Sequence, residues 1–127
     1  MMILRYLYVG TSDTEREVAI WSALPGAKLR WRFQNFGADV AALDLGTAPV
    51  VLLADHRPPG SVLPIYAVAD LEQSVAAMES DGWTVDERSF GTPEGPASLL
   101  ATSGGARLAL LQVDRPDVMD AEYLRRG

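Results

Sequence analysis

Hydrophobic and polar residues alternate along this chain in short blocks that predict eight strands and two helices. Apolar, β-branched and aromatic residues dominate each predicted strand. We place the strands at residues 3–9, 27–34, 39–45, 49–55, 62–68, 83–89, 97–102 and 106–113. Asp13 and Asp70 each precede a run with apolar residues three or four positions apart, which is typical of a helix that begins at a capping carboxylate. We expect the first helix to end at Leu24 and the second at Ser80.

The predicted elements occur in the same order twice. A strand, a helix and three strands occupy about residues 3–56, and the same order returns over about residues 62–116. The linker at residues 56–61 contains two prolines and a glycine, which stiffen it. The tail at residues 117–127 either forms a short helix or frays. We therefore predict a single domain over residues 1–127, built from two tandem βαβββ modules with a cleft between or within them.

Composition narrows the classes of function. The chain has one histidine and no cysteine, which excludes disulfides, thiolate catalysis and zinc–sulfur sites. A net charge of −6 argues against a nucleic-acid partner, which needs a basic surface, and is compatible with a cationic ligand. No apolar run is long enough to span a bilayer, and the start of the chain lacks the pattern of a signal peptide. We therefore expect a cytoplasmic protein without a membrane partner.

Short motifs surround the two predicted helices. They are Val9-Gly10 before Asp13, Ile20-Trp21, Leu24-Pro25-Gly26 and Val68-Ala69-Asp70-Leu71-Glu72. In this order and spacing they resemble the vicinal oxygen chelate superfamily, which includes glyoxalase I, extradiol dioxygenases and bleomycin-resistance proteins. The resemblance covers about residues 3–116. It implies an α+β fold whose mixed sheets curl around a cleft, and a homodimer. It leaves open whether the two modules pair within one chain or swap between chains.

Enzymes of this superfamily hold a divalent metal with four side chains, one from the first and one from the last strand of each half. The corresponding positions are here Tyr6, Leu63, Ala109 and Val51, or Leu52 if the register shifts by one. Aliphatic side chains cannot bind a cation, and a tyrosine must first lose a proton whose pKa is about 10. We therefore expect neither a metal nor a cofactor. The residues from which a site could be rebuilt elsewhere are His56, Asp55, Asp114 and Glu94.

The same fold predicts a ligand-binding cleft lined by aromatic and apolar residues. They are Tyr6, Tyr8, Trp31, Phe33, Val51, Leu63, Ile65 and Ala109. Tyr6 and Tyr8 either form a wall on which a ring stacks or fill the cavity themselves. We assign Trp31 and Phe33 to the cleft. The opposite orientation would place the charged side chains of Arg30 and Arg32, on the other face of the strand, in the cleft and the aromatic rings beneath a helix. It would favour an anionic ligand.

Three functions remain open. The first, which we favour, is metal-independent binding of a small aromatic or apolar molecule such as a cationic drug, as in antibiotic-resistance proteins that sequester drugs. The second is a lyase, isomerase or dioxygenase, with displaced metal ligands or with His56 or Glu94 as a base. The third is a regulatory or interaction module with closed clefts. We expect His56 to be a solvated loop residue, and Trp21 and Trp83 to be structural.

Overall fold

The computed structural model describes residues 2–35 and 37–123, and of Tyr123 only the backbone. Within these residues, eight strands and three helices follow one another. Their bounds are β1 Ile3–Gly10, α1 Thr14–Trp21, β2 Lys28–Asn35, β3 Ala38–Asp44, β4 Val50–Ala54, β5 Val62–Val68, α2 Leu71–Ser80, β6 Thr84–Gly91, β7 Pro96–Ala101, β8 Arg107–Gln112 and α3 Val118–Tyr123. Each predicted strand is present, with ends within two residues of the expected ones. The tail contributes α3.

Both longer helices begin at the predicted aspartate. The carboxylates of Asp13 and Asp70 accept hydrogen bonds, at 3.1 and 3.0 Å, from the backbone N–H three residues on. Helix α1 ends at Trp21, earlier than the expected Leu24, which lies in a turn and is 46% exposed. The backbone there switches to bonds between residues three apart, because the residue before Pro25 is sterically kept out of the helical region.

The strands form one mixed sheet in the order β2-β3-β4-β1-β5-β8-β7-β6. Strands β1 and β5 pair antiparallel at its centre, whereas β1 pairs with β4, and β5 with β8, in parallel. The first strand of each half therefore lies beside its counterpart within the same chain. This arrangement is an α+β fold with a mixed sheet, as the resemblance implies.

One face of the sheet carries α1 and α2, each over its own apolar cluster. The cluster beneath α1 includes Ala41, Leu43, Val51, Leu53 and Trp21. The cluster beneath α2 includes Val75, Leu100, Leu108, Leu110 and Trp83. Both of these tryptophans are thus structural, as expected. Because side chains alternate along a strand, the intervening residues of β3, β4, β7 and β8 point to the opposite face.

The opposite face of the sheet is concave. Side chains from the outermost strands, Phe33 of β2 and Phe90 of β6, line the same cavity as Tyr8 and Ile65 of the central strands. The sheet must therefore curl until its two ends approach each other. Helix α3 covers one side of this concavity. No helix in the described part of the chain is long and apolar enough to cross a membrane.

Candidate ligand-binding cavity

The concave face of the sheet encloses a cavity of about 520 Å³. This volume lies within the range of small-molecule binding sites, roughly 300–1,000 Å³. Its wall is mainly apolar, and it contains the aromatic side chains Tyr6, Tyr8, Trp31, Phe33 and Phe90. The two tyrosines lie in the wall and leave the space between them and β7 open. The arrangement suits a ligand with a flat, apolar body.

The structure brings seven of the eight predicted lining residues together. They are Tyr6, Tyr8, Trp31, Phe33, Leu63, Ile65 and Ala109. Val51 is the exception, because it points to the helix-covered face and packs with Leu43 and Leu53. Leu52, which is paired with Tyr8 of β1, faces the cavity instead. The prediction at this strand was wrong by one residue, and a shift of one residue exchanges the two faces of a strand.

A β-bulge at Arg30 determines how β2 presents its side chains. The register with β3 shifts between Leu29 and Trp31, so Leu29 packs on the α1 side while Trp31 faces the cavity. Arg30 forms two hydrogen bonds, of 2.9 and 2.6 Å, with Asp120 of α3. Arg32 does the same with Asp39 at 2.9 and 2.6 Å. Both arginines of β2 are therefore paired, and neither lines this cavity.

The polar part of the wall is built around Glu94, which is 5% exposed in the turn between β6 and β7. Its carboxylate accepts a hydrogen bond of 2.8 Å from the Tyr6 hydroxyl and forms an ion pair with the Arg5 guanidinium. Its backbone carbonyl accepts bonds of 2.8 and 2.9 Å from the N–H groups of Asp114 and Arg115, which hold the turn in place. The negative charge of Glu94 is thus neutralised within the protein.

Burial and this ion pair shift the ionisation of both neighbours. The pKa of the Tyr6 phenol is raised, first by burial and then by the hydrogen bond to Glu94. Burial opposes the charge of Arg5, but its hydrogen bond to Glu94 and the nearby negative charge outweigh that effect, so its pKa is raised. At neutral pH, Tyr6 is therefore a neutral hydrogen-bond donor and Arg5 is a cation.

Sequence reasoning left Glu94 out of the predicted lining residues and considered it only as a replacement metal ligand or base. Its partners Arg5 and Tyr6 lie 89 and 88 residues away in sequence. Only the folded chain brings these three residues together.

A second polar group lies at the mouth of the cavity. The Tyr8 hydroxyl and His56 Nε2 are 3.0 Å apart, and the two rings meet edge to face at 5.6 Å. His56 is exposed, as expected, yet it also lines the cavity together with its neighbour Arg57. Burial raises the pKa of Tyr8 to about 12; the charge of Arg57 opposes this rise and that of Asp55 adds to it. Tyr8 is therefore a neutral phenol at physiological pH.

The residues at the superfamily's metal-ligand positions do not fit a divalent metal. Leu52, Leu63 and Ala109 carry no donor atom, and the Tyr6 hydroxyl is bonded to Glu94. Throughout residues 2–35 and 37–123, no group of three or more His, Cys, Asp or Glu side chains is placed to hold a metal ion. The side chains named above as a possible replacement set therefore do not assemble into one.

A second cavity of about 480 Å³ lies between α3 and the ends of β1, β3 and β4, and shares Tyr6, Trp31 and Met119 with the first. Its charged side chains are Arg5, Arg30, Asp44 and Asp120. Both arginines there form ion pairs with protein carboxylates. The first cavity, which is more apolar and richer in aromatic side chains, is therefore the better candidate for a ligand site.

Comparison with solved structures identifies the fold. A hypothetical protein, BH1468 from Bacillus halodurans C-125, superimposes with a TM-score of 0.77 over 90% of this chain and 96% of its own, at 10% identity. Methylmalonyl-CoA epimerase from Mycobacterium tuberculosis superimposes with a TM-score of 0.73 over 89% of each chain, at 16% identity. A methylmalonyl-CoA epimerase in complex with methylmalonyl-CoA and NH4+ gives 0.71 over 90% and 96%, at 17% identity.

The chain has the vicinal oxygen chelate fold. The expectation drawn from the sequence motifs is confirmed at this level. No protein-family model and no curated protein sequence matches the chain. At 10–17% identity, the likeness to these structures shows the fold and leaves the function to be argued from the cavity itself.

Proposed function

We propose that the protein binds a small, largely apolar molecule with at least one ring in the 520 Å³ cavity, without a metal ion. The observation that carries this proposal is the open cavity with five aromatic side chains in its wall. Tyr6 and Tyr8 do not fill the space, which argues against a module whose clefts are closed. Seven of the eight lining residues expected from the sequence stay in the proposed site, and Leu52 takes the place of Val51.

Burial of apolar surface provides the affinity in this proposal. Each Å² of apolar ligand surface removed from water contributes on the order of 25 cal/mol. A ring stacked on Trp31 or Phe33 adds about 0.5–1.5 kcal/mol beyond its area. Most of this wall belongs to strands that are hydrogen-bonded to a neighbour on each side, so these strands lose little conformational entropy when a ligand binds.

Tryptophan fluorescence tests the proposal, because the three tryptophans report on different places. Trp31 lines the cavity, whereas Trp21 and Trp83 pack beneath α1 and α2. We expect planar aromatic ligands to quench the emission of the double variant Trp21→Phe/Trp83→Phe in a saturable manner. The matched control, Trp31→Phe, keeps the two distant tryptophans and should lose most of the response.

The binding proposal fails if no member of a panel of planar aromatic compounds changes the fluorescence or gives heat in calorimetry at millimolar concentration. It also fails if Trp31→Phe responds as strongly as the double variant, because binding would then lie outside the cavity. Circular dichroism of each variant shows whether the fold is intact before the titrations are compared.

Proton-transfer catalysis is the second candidate. Solved structures with this fold include methylmalonyl-CoA epimerases, and the Glu94 carboxylate lies in the cavity wall. A substrate proton would have to compete for its oxygens with the Tyr6 hydroxyl and the Arg5 guanidinium, so we rank this candidate below binding. Incubation with methylmalonyl-CoA in D₂O decides between the two. Deuterium incorporation that Glu94→Gln abolishes would favour the enzyme, and background exchange is the result we expect.

The remaining sequence predictions belong to the same proposal. We infer that residues 3–56 and 62–116 are two copies of one module within a single domain, and that the protein acts in the cytoplasm, where sequestration of a toxic compound would confer resistance. Strands β2 and β6 each have one unpaired edge in the sheet, which a second chain could cover to form a homodimer. Light scattering coupled to size-exclusion chromatography should then give twice the 13.7 kDa of one chain.

A further inference from the structure

Arg57 carries a positive charge at the cavity wall that the protein does not neutralise. Its side chain lines the cavity and is half-buried. Its Nε atom is buried and has no hydrogen-bond partner, and Arg57 forms no ion pair within residues 2–35 and 37–123. A guanidinium that lines a cavity without a carboxylate partner is available to a negatively charged group of a ligand.

The backbone that carries Arg57 is held in place. Residue Gly10 of β1 packs so closely against the linker that a Cβ atom there would lie 2.0 Å from the Pro58 carbonyl oxygen. Gly10 also donates its N–H to the Ser61 carbonyl at 2.9 Å, and the Ser61 hydroxyl donates to the Pro58 carbonyl at 2.6 Å. The guanidinium is therefore presented from a fixed loop, which favours specific recognition over loose attraction.

The acidic residues in the cavity wall do not pair with Arg57. Glu94 is paired with Arg5 and bonded to Tyr6. Glu87, the other acidic residue in the wall, is solvent-exposed, so water and salt screen its charge. Next to Arg57, the Tyr8 hydroxyl and the His56 ring supply further polar groups at the same mouth. The net charge of −6 belongs to the whole chain and does not describe this site.

We propose that the ligand is an apolar acid, whose carboxylate binds the Arg57 guanidinium while its ring lies against the aromatic wall. This inference rests on the proposed binding function. Guanidinium and carboxylate match in geometry and form charge-assisted hydrogen bonds. A single unpaired cation matches a single negative charge, so a carboxylate suits the site better than a doubly charged phosphate. The proposed ligand is thus an anion, whereas the net charge of −6 had suggested a cationic drug.

Calorimetry with three compounds of the same shape tests the inference: 2-naphthoate, the neutral 2-naphthamide and the cationic 2-naphthylmethylammonium, at pH 7.5. We expect 2-naphthoate to bind at least about tenfold more tightly than 2-naphthamide, and the cation to bind most weakly. The variant Arg57→Gln should lose about tenfold in affinity for 2-naphthoate and stay within about twofold for 2-naphthamide. Arg57→Lys keeps the positive charge but lacks the planar guanidinium, so its affinity for 2-naphthoate should lie between those of the unaltered protein and of Arg57→Gln.

Arg107→Gln is the matched control, because it removes the same charge from a surface ion pair with Asp86 outside the cavity. It should leave both affinities unchanged. If 2-naphthamide binds and 2-naphthoate is no tighter, or if Arg57→Gln and Arg107→Gln behave alike, the acid inference is overturned while the binding function stands. If none of the three compounds binds, the acid inference is overturned, and the panel of planar aromatic compounds described above decides whether the binding function falls as well.

Discussion

The Tyr6 hydroxyl donates a hydrogen bond to the Glu94 carboxylate at 2.8 Å, across 88 residues of sequence. The preceding residue, Arg5, forms an ion pair with the same carboxylate. Consecutive residues of a regular strand point to opposite faces, but the register between β1 and β5 shifts between Leu4 and Tyr6. This bulge at Arg5 lets two neighbouring side chains of β1 reach one buried acid and so joins the two halves of the chain.

We predict that Glu94→Gln destabilises the protein by about 2–3 kcal/mol, because it leaves the partly buried Arg5 without its counter-charge. The measurement is urea unfolding at pH 7 followed by circular dichroism. Asp86→Asn is the matched control in a more exposed pair with Arg107, and it should cost less than about 1 kcal/mol. Equal losses for the two variants would show that the Tyr6–Arg5–Glu94 contact contributes no special stability.

We predict that Tyr6 and Tyr8 lose their phenolic protons late in an alkaline titration. The pKa of Tyr8 is raised to about 12 and that of Tyr6 is raised as well, in both cases first by burial. A raised folded-state pKa gives stability that is complete below the usual tyrosine value of about 10 and is lost as the pH rises through the folded value. For Tyr8 this contribution is on the order of 2 kcal/mol.

Absorbance at the phenolate band, recorded as a function of pH, checks this prediction. Two tyrosines should ionise only above about pH 11, together with unfolding, and the free energy of unfolding should fall from about pH 10 upward. Tyr8→Phe should remove one late-ionising group. The prediction is wrong if Tyr6 and Tyr8 ionise near pH 10 while the protein stays folded.

We predict that Gly10→Ala destabilises the protein by more than about 2 kcal/mol, because the new methyl group would collide with the Pro58 carbonyl and push the linker away. Gly91→Ala is the control, since a Cβ there meets no atom within 4 Å, and it should change stability by less than about 0.5 kcal/mol. Thermal unfolding of both variants provides the comparison. Similar melting temperatures for the two would refute the close approach between β1 and the linker.

We predict that Asp120→Asn loosens α3. Arg30 donates two hydrogen bonds to Asp120 and thereby lowers the pKa of that carboxyl below its usual value of 3.8. A lowered folded-state pKa gives stability that is present above pH 4 and disappears as the pH falls through the folded value. Because both side chains are partly exposed, the pair contributes only about 0.5–1 kcal/mol.

Hydrogen exchange of the α3 amides at neutral pH measures this effect. Exchange should become about two- to fivefold faster in Asp120→Asn, while the amides of β1 and β5 stay unchanged. Glu79→Gln, which breaks the exposed pair between α2 and Arg88, should leave α3 unaffected. Unaltered exchange of α3 in Asp120→Asn would mean that apolar contacts such as those of Met119 hold the helix without this ion pair.

Much of the secondary structure follows from local patterns. The carboxylates of Asp13 and Asp70 cap α1 and α2 because the capping bond is made to a backbone group three residues away, which short sequence windows contain. The positions of the strands follow from apolar runs in the same way. The pairing of β1 with β5 within one chain was left open, because nothing in either strand specifies its neighbour.

The predicted lining residues of the cavity depend on the register assigned to each strand. Ile65 and Ala109 lie where alternation places them, whereas the assignment of Val51 in place of Leu52 was wrong because counting from an internal match leaves a strand undetermined by one residue. The bulges at Arg5 and Arg30 cannot be detected in the pattern of hydrophobic residues. They nevertheless determine how these two arginines are directed toward their partners, Glu94 and Asp120.

The sequence by itself determined which segments are strands and where the two longer helices begin. These properties depend on residue types and on contacts a few residues apart. The tertiary structure alone decided that Glu94 is neutralised by Arg5 and bonded to Tyr6, and that Arg57 at the cavity wall forms no ion pair within the described part of the chain. The reason is physical: whether a charge is paired depends on groups that only the curled sheet brings together from distant parts of the chain.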